Sequence, residues 1–228
     1  MKPDIKSLSL DKWFFWRSEI DRMLTLSMCF SVAMVAVRIA YTGHLTFVFL
    51  NWNLFLAWLP YALTSWLKQR QEKRLNRWKL AALFVLWLLF IPNTFYILTD
   101  LFHLGSQNNV PLWYDLALII SFAWNGLLLG ILSVRQMEKT LQPWLGGKHE
   151  LFFIYPIMWL NALGVYIGRY LRFNSWDIIA NPFNLMADII SMMVHPLQHK
   201  EVWSMVACFS VFMTLVYLTL KRISKASH

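Results

Sequence analysis

Six apolar runs alternate with short polar segments along the chain, at 23–41, 45–67, 80–101, 113–134, 151–171 and 202–220. A helix needs roughly 20 apolar residues to cross the hydrocarbon of a bilayer. The pattern therefore predicts an all-α, polytopic membrane helix bundle with six transmembrane helices. A further apolar stretch, 183–194, is too short to span. Asn181 and Pro182 supply a cap and a first-turn proline ahead of it, and Pro196 stops it. A short interfacial helix on the outer face is expected there. Ahead of the first run, Trp13, Phe14, Phe15 and Trp16 stand between Lys12 and Arg17 and read as an interfacial anchor. The organisation expected is an N-terminal segment over 1–22, a transmembrane domain over 23–220 and a tail over 221–228.

Charge orients this bundle. The stretch 68–79 carries six positive charges and one negative between two apolar runs. Basic residues collect on the cytoplasmic side of membrane helices. Of the 21 Lys and Arg residues, 17 lie in segments that alternate to one side, whereas Arg38, Arg169, Arg172 and Lys200 lie toward the other. Both termini are thus expected to be cytoplasmic, with three outward connections.

Composition agrees. The chain of 228 residues is 58% hydrophobic and only 14% charged, against about 25% charged in an ordinary soluble domain. Its 13 Trp and 17 Phe suit side chains that face or border lipid. The formal charge of +9 does not indicate nucleic acid, because the basic residues fall between apolar runs rather than on one helical face. Cys29 and Cys208 sit inside apolar runs without metal-site spacing and are expected to pack as small buried hydrophobes. The charged first 23 residues do not read as a cleavable signal peptide, so the first span is expected to act as an uncleaved signal.

In that orientation the unusual polar residues gather at the outer level. The third run ends in Pro92-Asn93-Thr94-Phe95-Tyr96-Ile97-Leu98-Thr99-Asp100-Leu101-Phe102-His103. Asn93, Tyr96, Asp100 and His103 fall on one face of a regular helix, and Pro92 removes one backbone donor within it. Asp115 opens the fourth run. Arg169 and Arg172 close the fifth, three residues apart, with Asp177 beyond them. Two arginines at a lipid boundary require anions, supplied either by Asp100, Asp115 and Asp177 or by a ligand. Asn51 and Asn53 are costly toward lipid, so at least one is expected to face neighbouring helices. Gly126 and Gly130, with Gly164 and Gly168, are spaced for close helix contact.

Two explanations of this cluster stand side by side. Arginine–aspartate pairs can simply close the outer end of a bundle, with Asp115 favoured near a helix N-terminus. Alternatively, Arg169 and Arg172, with Asn53, Asn93, Tyr96 and Asp177, hold an anionic small molecule or lipid headgroup. Asp100, Asp115 or His103 would then act as acid–base groups. A metal held by Asp100 and His103 is disfavoured by the adjacent arginines. No cofactor is indicated, and no nucleophile elbow, HExxH, P-loop or dinucleotide fingerprint occurs. A small transporter of an anionic or amphipathic solute and a non-catalytic assembly partner are the other readings. The bilayer is the one partner that composition implies.

The segments 51–60, 92–101, 113–115 and 160–177 are distinctive in combination. Together they resemble a bacterial family of multi-pass inner-membrane proteins, a domain of unknown function numbered thirteen-sixty-one, over roughly 45–196. The resemblance implies a bacterial inner-membrane location and supplies no activity or catalytic residue.

Overall fold

The computed structural model describes residues 18–70, 76–105, 110–145, 150–173 and 182–226. They form α1 (Glu19–Thr42), α2 (Phe49–Arg70), α3 (Arg77–Phe90), α4 (Pro92–Tyr96), a 3-10 helix (Ile97–His103), α5 (Leu112–Leu145), α6 (Glu150–Tyr170), α7 (Pro182–Val194) and α8 (Lys200–Ala226). No strand occurs among the described residues. The anchor expected at 12–17 lies outside them.

Local chemistry sets the ends of α1. Ser18 and Asp21 form a reciprocal capping box, so the helix begins ahead of the apolar run. At the other end Gly43 takes φ 69°, and its N–H donates to the Ile39 carbonyl at 2.8 Å.

Among the described residues, five helical stretches are long and apolar enough to cross a membrane: α1, the run Arg77–His103, α5, α6 and α8. The sixth expected span, α2, has the length at 22 residues but not the apolarity. Asn51, Asn53, Pro60, Thr64 and Ser65 dilute it, and several of these bond inside the protein. α2 nonetheless packs extensively on α5. Tyr61 donates to Asp21 at 2.5 Å, tying α2 to the start of α1.

Of the α5 spanning window, 61% is buried, against 28–33% for the other four. α5 is therefore the central post, bordered by two apolar cores. One joins α1, α2, the 3-10 helix and α5 around Leu50, Leu118 and Phe122; the other joins α3, α4, α5, α6 and α8 around Trp87, Phe95 and Tyr217. Outward faces carry large apolar side chains such as Phe30, Trp124, Phe152 and Phe212, as a lipid-facing surface requires. Cys29 and Cys208 lie on these faces and are exposed, not buried as their apolar surroundings suggested. An apolar run marks a residue's solvent but not which side of the helix it occupies.

The third apolar run does not continue as one α-helix. Proline cannot donate to the preceding turn, so regular bonding stops at Ile91. Side chains then take up carbonyls: Asn93 Nδ2 donates to Phe90 O at 2.9 Å, Thr94 Oγ1 to Ile91 O at 2.7 Å and Thr99 Oγ1 to Tyr96 O at 2.6 Å. The chain finishes as a seven-residue 3-10 helix, longer than the three or four residues usual for that form.

Glycines on both sides admit this broken segment. A Cβ on Gly126 would lie 2.6 Å from the Thr94 carbonyl, and one on Gly130 would lie 2.5 Å from Thr94 Oγ1. On α6, a Cβ on Gly164 would lie 2.7 Å from Pro92 Cγ, and one on Gly168 3.3 Å from the Tyr96 ring. Two glycine pairs, each one helical turn apart, thus clamp α4 from opposite sides, which is the close contact their spacing predicted.

Candidate functional site

The 3-10 geometry aligns the polar residues at the end of the third run. With three residues per turn, positions i and i+3 eclipse, so Asp100 and His103 stand one above the other. Arg169, in the last turn of α6, reaches both. Its Nη1 lies 3.3 Å from Asp100 Oδ1, 3.1 Å from His103 Nε2 and 3.4 Å from Tyr96 Oη. Its Nη2 donates to the Thr99 carbonyl. The guanidinium also lies 5.3 Å from the Tyr96 ring centre, within cation–π range. Because arginine only donates, His103 Nε2 must accept that contact, which leaves the imidazole proton on Nδ1.

Asp100 is fully buried. Its second oxygen accepts from Asn53 Nδ2 at 2.9 Å, so α2, the 3-10 helix and α6 meet on one carboxylate. This fulfils the expectation that an asparagine of α2 turns inward. His103 is exposed at the rim, with its ring edge against Phe49.

Asp115 does not join this group. It accepts from Arg38 Nε at 2.7 Å and Nη2 at 3.0 Å, a two-pronged bond with both side chains 1% exposed. Arg38 also lies 4.5 Å from the centre of the Phe47 ring. The sequence offered Asp115 as a possible partner of Arg169, but α1 supplies its arginine instead. The signal was present: Arg38 near the end of one apolar run and Asp115 in the first turn of another share a membrane level. The three acid–base candidates therefore divide, Asp100 and His103 in one network and Asp115 in another.

Arg172 does not share a face with Arg169. α6 ends at Tyr170, and Arg172 follows with φ 58°, in left-handed backbone, where it is exposed. Among the described residues it pairs with no carboxylate. Asp177 lies outside the described residues.

A cavity of about 320 Å³ opens beside the Asp100–Arg169 network. Asn53, Asn93 and Tyr96 form its polar end, and Phe173 closes the side next to Arg172. Its apolar walls include Leu88 and Leu160, with Leu185 and Ile189 contributed by α7. Which residues α7 lays against the cavity was not legible in the sequence. For a metal the donor set is poor. Arg169 stands between Asp100 and His103, and no group of three or more His, Cys, Asp or Glu could hold an ion among the described residues.

The family described as "Protein of unknown function (DUF1361)" matches residues 52–216. The chain belongs to the DUF1361 family. The match spans α2 through most of α8 and so includes Asn53, Asp100, Asp115, Arg169 and the cavity walls, while Arg38 on α1 precedes it. No curated protein and no solved structure matches the chain. This DUF1361 member is a multi-pass membrane protein, a helix bundle built on the central post α5.

Proposed function

We propose that this DUF1361 protein binds an anionic amphipathic molecule in the cavity between α2, α4, α6 and α7. The observation that carries the reading is the cavity itself, apolar along one wall and polar at the end of Asn53, Asn93 and Tyr96, with its lining residue Phe173 next in the chain to Arg172, which pairs with no carboxylate among the described residues. Arg169 is already neutralised by Asp100. The cation for an anionic head is then Arg172, with Asn93 and Tyr96 as neutral hydrogen-bonding groups. The tail would lie against Leu160, Leu185 and Ile189.

Saturable thermal stabilisation by lysophosphatidic acid is the expected result for the purified chain in detergent. Arg172→Gln should weaken it, and Ile189→Trp, which fills the cavity, should abolish it. Equal stabilisation of wild type and both variants would reject the site. A transporter of the same solute is a second reading, favoured by the helix break at Pro92 on the cavity wall. Uptake of the probe into proteoliposomes separates carriage from binding.

The location that fits is the bacterial inner membrane with six spans, α2 included, and both termini cytoplasmic. α2 supports this by its 22-residue length and by its extensive packing on α5, the central crossing. Reporter fusions after Lys79 and after Lys148 should then read cytoplasmic, and fusions near Lys200 external. A periplasmic reading after Lys79 would reverse the assignment. On that orientation the Asp100–Arg169 network and the cavity head face outward, and α7 lies at the outer surface.

A further inference from the structure

A second and larger hollow, about 640 Å³, runs between α1, α5 and α8 at the end of the bundle opposite the first. It is a trough of uneven chemistry. Ser27, Trp124, Leu128 and Leu132 line the part nearer the middle of the helices, whereas Arg135, Lys221 and Ser224 line the part nearer the ends of α5 and α8. Arg135 is half-buried there. Its Nη1 donates to Ser224 Oγ at 2.8 Å, and among the described residues no carboxylate pairs with it. Lys221 differs, being held by both oxygens of Glu138 at 2.6 and 2.7 Å. Glu19 also borders the trough, on the α1 side.

Dimensions point to one kind of occupant. Eleven residues of α5 separate Arg135 from Trp124, about 16 Å of helix at 1.5 Å per residue. Half of the hydrocarbon thickness is about 15 Å. A cation at one end and an apolar trough reaching the mid-plane match one phospholipid of a single leaflet, phosphate outermost and one chain inward. We propose that this trough holds an acidic phospholipid, its phosphate on Arg135 and Ser224 and one acyl chain along Leu128 and Trp124. Lys221 is already neutralised by Glu138, so among the lining cations the phosphate falls to Arg135. The charge complementarity lies in Arg135: in a lipid-facing trough a half-buried guanidinium bonded to one serine retains donors for phosphate oxygens.

Native mass spectrometry of the full chain in detergent, titrated with phosphatidylglycerol or phosphatidylcholine, tests this. The wild type should retain one phosphatidylglycerol with a preference of about fivefold or more over phosphatidylcholine, the scale of one cation near an anionic lipid. Arg135→Gln should remove most of that preference, and Leu128→Trp should block retention of both lipids with Arg135 intact. Ile189→Trp fills the other cavity and should leave this retention unchanged, so failure here is distinct from failure there. Equal retention of the two lipids by the wild type would overturn the proposal. So would undiminished retention by Leu128→Trp, which serves even where Arg135→Gln fails to fold. A dimer whose copies cross-link through cysteines placed at Leu132 would assign the trough to a second copy instead.

Discussion

Arg38→Ala and Asp115→Ala are each expected to cost about 3–5 kcal/mol, because either change leaves the other charge stranded among apolar side chains. Both side chains are 1% exposed and share two hydrogen bonds. The double variant should be much milder than the sum of the two, since residues in contact are not additive. A well-packed apolar replacement, Arg38→Met with Asp115→Leu, should recover much of the loss. Thermal unfolding in nanodiscs reads all of these. The contrasting cycle, Arg169→Ala with Asp115→Ala, should be close to additive, because the two residues belong to different networks. Strong coupling there and none between Arg38 and Asp115 would mean that the pairing described is wrong.

Gly130→Ala and Gly164→Ala are expected to destabilise the bundle by about 1–3 kcal/mol each, the usual cost of forcing an extra carbon into a packed core. The new Cβ would meet Thr94 Oγ1 at 2.5 Å in the first case and Pro92 Cγ at 2.7 Å in the second. Neither obstacle is the free end of a long side chain, so α4 itself must move. Thr94→Ala should partly rescue Gly130→Ala and leave Gly164→Ala unimproved. Gly105→Ala is the control, with nothing within 4 Å of its Cβ position. Melting temperatures that fall no further for Gly130 and Gly164 than for Gly105 would show that the clamp around α4 is loose.

The apolar runs were legible because crossing a bilayer imposes a length, and five of six meet the full requirement. α2 does not, and the reason was visible as Asn51 and Asn53. What hid was the partner that makes Asn53 tolerable, a carboxylate 47 positions later. The glycine spacings forecast close approach correctly, though not the object approached. Periodicity misled at the end of the third run. A regular helix places Asn93, Tyr96, Asp100 and His103 on one stripe, but from Ile97 the chain winds more tightly. Tyr96, Asp100 and His103 still meet Arg169, whereas Asn93 turns its amide to a backbone carbonyl. Arg169 had two reachable aspartates on paper, and the choice depended on how the broken segment swings. Arg172 was placed beside Arg169 on the assumption that α6 continued, and left-handed backbone at that residue ends the shared face.

The inward amide of α2 also bears on the order in which the protein is made. On the six-span arrangement proposed above, α2 leaves the ribosome before α3, α5 or Asp100 exists, so its least apolar side chains meet the membrane without their partners. Its insertion should therefore lag behind that of its neighbours, held at the translocation site until the central post arrives. Chains truncated before residue 100 should be degraded or left with α2 outside the bilayer, while chains extended past α5 become stable. Biogenesis would then be the stage most sensitive to Asn53→Leu, a change that lets α2 insert early yet leaves Asp100 without its amide once the bundle closes.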